Sequence, residues 1–266
     1  MTLTDRPALV RRLRTAGCVY AEDEADLLLA AADSPATLAD LTDRRVAGEP
    51  LEYLLGWAEF CGLRIAVDAG VFVPRGRTAL LVEVAAGLTG PAPAVVDLCC
   101  GSGATTVALA HRLAPRWLAA ADIDPAAVAC ARRNLTGLTA EVYEGDLFAP
   151  LPARWRGRLD LVVANAPYVP TDAVALMPPE ARLHEAPVAL DGGPDGLSVL
   201  RRVGVEAVTW LAPGGHLVVE AGVTQVDALC AAFEAAGLVP SVRHDEDLDA
   251  TAVTARRPAE SVPPPK

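Results

Sequence analysis

The stretch VVDLCCGSGATTVALA, residues 95–110, decides the fold. Its opening residues form an apolar run around a single carboxylate, Asp97, as expected of a parallel strand buried on both faces. Gly101 and Gly103 break that run, and an alanine-rich helical stretch follows. In such a strand–turn–helix unit the glycines let the backbone approach a ligand at the helix N-terminus, where the first N–H groups have no intrahelical partner. A G-x-G alone is a weak signal. The spacing is not the full G-x-G-x-x-G of dinucleotide sites, and no Lys or Arg accompanies the loop. A nucleoside without a phosphate fits it better than a dinucleotide.

The same alternation repeats downstream. Apolar runs stand at 94–98, 117–122, 140–145, 159–165 and 216–222, with a weaker pair near 238–243 and 251–255. Helical stretches such as 104–113 and 125–135 lie between them, which predicts an α/β fold with a doubly wound parallel sheet. The second run ends at Asp122, about twenty residues past the glycines, where a carboxylate can take both hydroxyls of a ribose. The third ends in Gly145-Asp146-Leu147-Phe148, within reach of an adenine. Plainer readings stand beside these. Asp122 or Asp124 can be an N-cap before Pro125, Asp146 a turn former, Cys99 and Cys100 small packing residues, and Glu220 a simple strand-end carboxylate.

The fourth run, LDLVVANAPY at 159–168, ends in polar and rigid residues. Asn165 offers a carbonyl acceptor and an amide donor, Ala166 a backbone carbonyl, Pro167 stiffness and Tyr168 a flat ring. Such a tip can grip a planar NH2 group, with acceptors on its two N–H bonds and a ring over its face. A strand end followed by turn residues is the bland alternative.

Ahead of the sheet, residues 1–48 read as short helices, the first capped by Thr4 or Asp5 and the third opened by Ser34-Pro35. Residues 50–75 read as short β-rich pieces, a hairpin between two domains. The expected organisation is a helical substrate-docking domain at 1–48, a β-hairpin linker at 49–77, a catalytic domain at 78–257 and a disordered proline-rich tail at 258–266. The net charge of −11 comes with no basic block, which weighs against duplex DNA or structured RNA as the main partner. None of the six cysteines forms C-x-x-C or a zinc-spaced cluster, so no metal is expected and the thiols point to a reducing, cytoplasmic setting. No stretch of 18 uninterrupted apolar residues occurs, so no membrane span is expected.

Taken together, PLEYLLGWAEF from residue 50, V-P-R at 73–75, D-L-x-x-G-S-G-A at 97–104, A-D-I-D-P at 121–125, G-D-L-F at 145–148, N-A-P-Y and E-A-P-V-A-L-D-G-G-P-D-G-L at 185–197 resemble one family. It is the S-adenosylmethionine-dependent protein N5-glutamine methyltransferases that modify peptide chain release factors. The resemblance implies a Rossmann-like class I methyltransferase fold with a seven-stranded, mostly parallel sheet. It implies S-adenosylmethionine as cofactor and, as partner, a protein with an exposed glutamine, a release factor or another translation protein. The loop Cys99, Cys100, Gly101, Ser102 and Gly103 would line the methionine part of the cofactor, Asp122 its ribose, and Asp146 and Leu147 its adenine, with Asp97, Ile123 and Asn165 also among the cofactor residues. Asn165 and Ala166 would hold the glutamine amide, with Pro167 and Tyr168 beside it. The family usually has N-P-P-Y where Ala166 stands, a glycine at Cys99, an aromatic at Leu147, and P-R-P-E-T-E where this chain has P-R-G-R-T-A at 74–79. The alternatives are methylation of an exocyclic base amine, adenine N6 or guanine N2, and of a small molecule.

Overall fold

The computed structural model describes residues 5–259; Thr4 and residues 260–266 of the expected tail lie outside them. Asp5 caps α1 (Arg6–Thr15) by accepting the Ala8 N–H, and Pro7 sits in the first turn. There follow α2 (Ala21–Ala31), α3 (Pro35–Val46) capped by the Ser34 hydroxyl, and α4 (Leu51–Leu55). Leu9, Val10, Leu13, Ala25, Leu28 and Leu41 close a separate apolar core among these helices. α4 corrects the β-rich expectation for the start of 50–75. Pro50 opens one helical turn and Gly56, at φ +76°, ends it in the left-handed region. The hairpin is shorter, β1 (Trp57–Phe60) and β2 (Leu63–Ala66), and Cys61 and Gly62 both turn with positive φ as a two-residue hairpin loop demands.

After α5 (Ala79–Gly87) the chain builds β3 (Ala94–Leu98), α6 (Ala104–Arg112), β4 (Trp117–Asp122), α7 (Pro125–Asn134), β5 (Glu141–Glu144) and β6 (Leu159–Ala164). Two short helices, α8 (Thr171–Val174) and α9 (Pro179–His184), precede α10 (Ser198–Trp210), β7 (Leu211–Glu220), α11 (Val226–Ala235), β8 (Val239–Asp245) and β9 (Ala250–Arg256). The seven strands lie in the order β5-β4-β3-β6-β7-β9-β8, parallel except for the pairings of β9 with β7 and β8. The chain first winds outward from β3 through β4 to β5, then returns to β6 on the other side. The crevice at such a reversal, beyond the carboxyl ends of the strands, is where open α/β sheets bind ligands.

Alternate residues of the central strands feed two cores. Val96, Leu98, Val162 and Ala164 pack into one face, and Val95, Leu161 and Val163 into the other. Every β3 residue is buried. Burial on both faces specifies the register, since a one-residue slip would exchange the two side-chain sets. That register pairs Leu98 with Ala121 and Ala164, and Ala164 with Val219. The next residue on each strand is therefore level with its neighbours: Cys99, Asp122, Asn165 and Glu220 share one edge.

Arg45 fastens the helical segment to the sheet domain. Its guanidinium donates to both Glu24 oxygens at 2.6 and 3.1 Å, to the Glu49 carbonyl at 3.1 Å and to Glu180 of α9 at 2.6 Å. The Arg45 and Glu24 side chains are 7% and 11% exposed, so removing one leaves the other as a nearly buried, uncompensated charge. Arg45→Ala is expected to cost about 3–5 kcal/mol of stability in urea unfolding. A loss below about 1 kcal/mol would show that the pair is a solvated contact.

Candidate active site

The glycine loop is held by the strand beside it. Cys100 donates to the Ala121 carbonyl at 3.1 Å and the Gly101 N–H to Asp122 Oδ2 at 2.8 Å. Gly103, the N-cap of α6, has φ +79°, a left-handed conformation that favours glycine, and a Cβ there would stand 3.2 Å from that of Ala131 in α7, a tight contact. A Cβ on Gly101 would meet nothing nearer than Phe72, at 3.9 Å, which leaves an open backbone face. Cys99 also has positive φ, +54°, a conformation that costs a non-glycine residue roughly 1–2 kcal/mol.

Asp124, not Asp122, is the N-cap of α7: its carboxylate accepts the Ala126 N–H at 2.9 Å. Asp122 Oδ1 accepts from Asp124 N at 2.9 Å, and each Asp122 oxygen still has a lone pair for a ligand hydroxyl. Burial pushes the Asp122 carboxyl above its ordinary range, opposed by the hydrogen bonds of the Asp124 and Gly101 N–H groups. Beneath the loop, Asp97 is wholly buried and accepts the Thr106 hydroxyl at 2.6 Å. Burial pushes its carboxyl up to about 7, with the Thr106 bond opposing and the Asp122 charge adding to the rise. Asp146 is held by Arg202 of α10 at 2.5 Å, and the following Leu147 turns with φ +47°.

One cleft takes in most of the residues expected from sequence: Asp97, Cys99, Cys100, Gly101, Ser102, Asp122, Ile123, Asp146, Leu147, Asn165 and Pro167 all line it. Gly103, Ala166 and Tyr168 stand behind that lining, Ala166 in the core at 1% exposure. The Asn165 amide nitrogen donates to the Thr78 hydroxyl at 3.2 Å, whereas no protein donor among the described residues reaches Asn165 Oδ1 or the Ala166 carbonyl. Glu220, for which a plain strand end is one reading, does end β7; it is also buried, and accepts from Thr78, Tyr168 and Arg77 at 2.7, 2.9 and 3.0 Å. The sequence reading also missed Phe72, Thr78, Val188 and Arg202, all of which line the cleft. Of these, Phe72 and Thr78 lie next to the V-P-R motif at 73–75, which was the available signal.

The segment after the strand tip is fixed by backbone contacts. Gly192 N donates to the Val169 carbonyl at 2.8 Å, and Gln225 Nε2 to the Tyr168 carbonyl at 2.8 Å. A Cβ on Gly196 would lie 2.2 Å from the Tyr168 carbonyl oxygen, so the 191–197 loop can cover residues 167–168 only as glycine. Among the described residues no His/Cys/Asp/Glu cluster has the arrangement of a metal site, and no helix is long and apolar enough to cross a membrane.

Known proteins share both pattern and shape. The family model of the methyltransferase small domain matches residues 62–202. A release factor glutamine methyltransferase of Geobacter sulfurreducens is 41% identical over 199 residues, covering 74% of this chain and 69% of the relative. A 4-amino-L-phenylalanine/4-methylamino-L-phenylalanine methyltransferase of Streptomyces pristinaespiralis is 35% identical over 236 residues, covering 85% and 79%. Among solved structures, a methyltransferase from Pyrococcus furiosus superposes with a TM-score of 0.58 at 14% identity, over 83% of this chain and 99% of that one. The fold is that of the Rossmann-like class I methyltransferases.

The buried Asp97 makes stability depend on pH. Its carboxyl holds its proton up to about pH 7 when folded and to about 4 when unfolded, so between these values the folded chain binds more protons. Unfolding free energy from this group therefore falls as pH rises from about 4 to 7. Urea unfolding at pH 5 and pH 8 should show the wild type losing stability relative to Asp97→Asn, which can still accept the Thr106 hydroxyl. Parallel pH dependence of the two proteins would contradict the assignment.

Proposed function

The chain belongs to the family of release factor glutamine methyltransferases, and from that premise we propose that it methylates the side-chain amide nitrogen of a glutamine in a protein, a peptide chain release factor, using S-adenosylmethionine. The observation that carries the acceptor assignment is a pair of acceptors at the tip of β6, Asn165 Oδ1 and the Ala166 carbonyl, that no donor among the described residues reaches. A carboxamide NH2 has two N–H bonds to give them.

The cleft suits the cofactor. It offers the open backbone of Gly101, a carboxylate at Asp122 with spare lone pairs, and no cation in the glycine loop to call for a phosphate. In this reading Cys99–Gly103 hold the methionine part above Asp97, Asp122 and Ile123 the ribose, and Asp146 and Leu147 the adenine. When bound, S-adenosylmethionine supplies an electrophilic methyl group. The protein's task lies on the acceptor side, because an amide nitrogen is a poor nucleophile whose lone pair is delocalised into its carbonyl. Asn165 and Ala166 fix that nitrogen, and positioning of this kind contributes roughly 7–11 kcal/mol at best. Acceptors facing the N–H bonds also favour the positive charge that develops on nitrogen. The proton then leaves to water.

An arylamine, the substrate type in the Streptomyces relative's name, could use the same two acceptors. A free amino acid also carries an ammonium and a carboxylate that need partners. Around the cleft Arg75, Arg77 and Arg202 are each spent on a carboxylate, Glu185, Glu220 and Asp146. That balance favours an uncharged amide. The net charge of −11 likewise speaks for a protein acceptor over a nucleic acid.

We assign residues 78–257 to catalysis, 49–77 to the linker and 1–48 to docking of the protein substrate. Leu176, Leu183 and Val188, 85%, 64% and 51% exposed, extend the docking face beside the cleft. A cytoplasmic location follows from a partner in translation.

Asn165→Ala should leave folding and cofactor affinity within a factor of about two and lower methyl transfer to the release factor by orders of magnitude, chiefly in kcat. Labelled-methyl incorporation alongside calorimetry with S-adenosylhomocysteine checks both. Near-normal transfer by the variant would make the strand tip mere scaffold.

A further inference from the structure

Asn165 is useful to an NH2 acceptor in only one of its two amide orientations. Exchange of Oδ1 and Nδ2 leaves the shape almost unchanged but points a donor at the substrate's own donors. Something has to choose between the two, and the hydrogen bonds behind Asn165 do so. Glu220 is 4% exposed at the end of β7 and pairs with Arg77 at 3.0 Å. An ionised carboxylate can only accept. The Thr78 hydroxyl, itself 3% exposed and 2.7 Å from Glu220 Oε2, must therefore donate to it. A hydroxyl has one proton, so towards Asn165 the same oxygen can only accept. Asn165 answers with its NH2, at 3.2 Å, and its Oδ1 is left for the cleft.

We propose that Glu220 and Thr78 are positioning residues that set the polarity of the acceptor site, so that it selects an uncharged NH2 donor and rejects a carboxylate. This rests on the glutamine reading above and gives it a reason for taking glutamine and refusing glutamate, its near-isostere. Glu220 also accepts from the Tyr168 hydroxyl at 2.9 Å, whose oxygen accepts from Arg77 at 2.7 Å, so the same carboxylate holds the ring beside the strand tip. The polarity runs one way: carboxylate, hydroxyl, amide, substrate. A neutral amide at position 220 could donate to Thr78, reverse the hydroxyl and turn Asn165 over.

Three variants of the full chain test this: Thr78→Val, which keeps the shape and removes the hydroxyl, Thr78→Ser, which keeps the hydroxyl, and Glu220→Gln. The Asn165 side-chain NH2 is followed by 15N NMR, identified by its loss in Asn165→Asp. In the wild type and Thr78→Ser it should give two distinct protons exchanging slowly with solvent. In Thr78→Val and Glu220→Gln the protection should be lost. With the protein acceptor, kcat should fall roughly 10- to 100-fold in the valine and glutamine variants, with KM and S-adenosylhomocysteine affinity unchanged, and serine should recover most of that loss. An Asn165 signal indifferent to Thr78→Val, or equal losses of rate and of Tm in the valine and serine variants, would overturn the proposal. Should Thr78→Val fail to fold, Glu220→Gln decides by the same signal. If the wild type methylates no glutamine but the Asn165 signal follows Thr78, the relay stands and the substrate assignment falls.

Discussion

The parallel register of β3, β6 and β7 is the constraint on which the site depends. Leu98, Ala164 and Val219 lie side by side in it, each buried, so a slip of any strand would turn core side chains onto the wrong face. Packing alone thus brings three strand ends to one level: the loop from Cys99, the amide of Asn165 and the carboxylate of Glu220. β4 adds Asp122 through the pairing of Leu98 with Ala121. The candidate site thus follows the edge of a well-packed sheet.

Much of that edge was legible in the sequence. The β3 and β4 runs match their strands to the residue, and the polar tip after Ala164 stood out because it follows directly on the apolar residues 161–164. Local signals failed where a partner far along the chain decides. Glu220 looked like an ordinary strand end because its significance lies in Thr78, 142 residues earlier. Likewise β7 begins at Leu211, ahead of the expected start at 216, because Pro213, Gly214 and Gly215 look like a break yet are carried within the strand beside an irregularity in β6. The single turn of α4 was hidden in a stretch whose glycines suggested only β structure. In the opposite direction, Asp122 and Asp124 were both candidate caps, and only the folded chain shows Asp124 taking that duty and leaving Asp122 to the cleft.

The departures from the family pattern take on physical sense in this setting. Arg77, where an acid is usual, pairs with the buried Glu220 and donates to the Tyr168 hydroxyl, so the two opposite charges behind the strand tip offset each other. Ala166 lies in the core, and no donor among the described residues reaches its carbonyl, which keeps the one feature of that position an NH2 substrate would use. Cys99 retains the left-handed backbone that the tight loop requires, at the strain cost a glycine would avoid.

The central claim is that the site takes the uncharged NH2 of a protein glutamine. A competition experiment tests it most directly: labelled S-adenosylmethionine is offered with equimolar release factor and 4-amino-L-phenylalanine, and the methyl group is located by fragmentation mass spectrometry. The account predicts label on a glutamine side-chain nitrogen of the protein, lost when that glutamine is changed to glutamate. Label found chiefly on the free amino acid, with none on the protein, would contradict it.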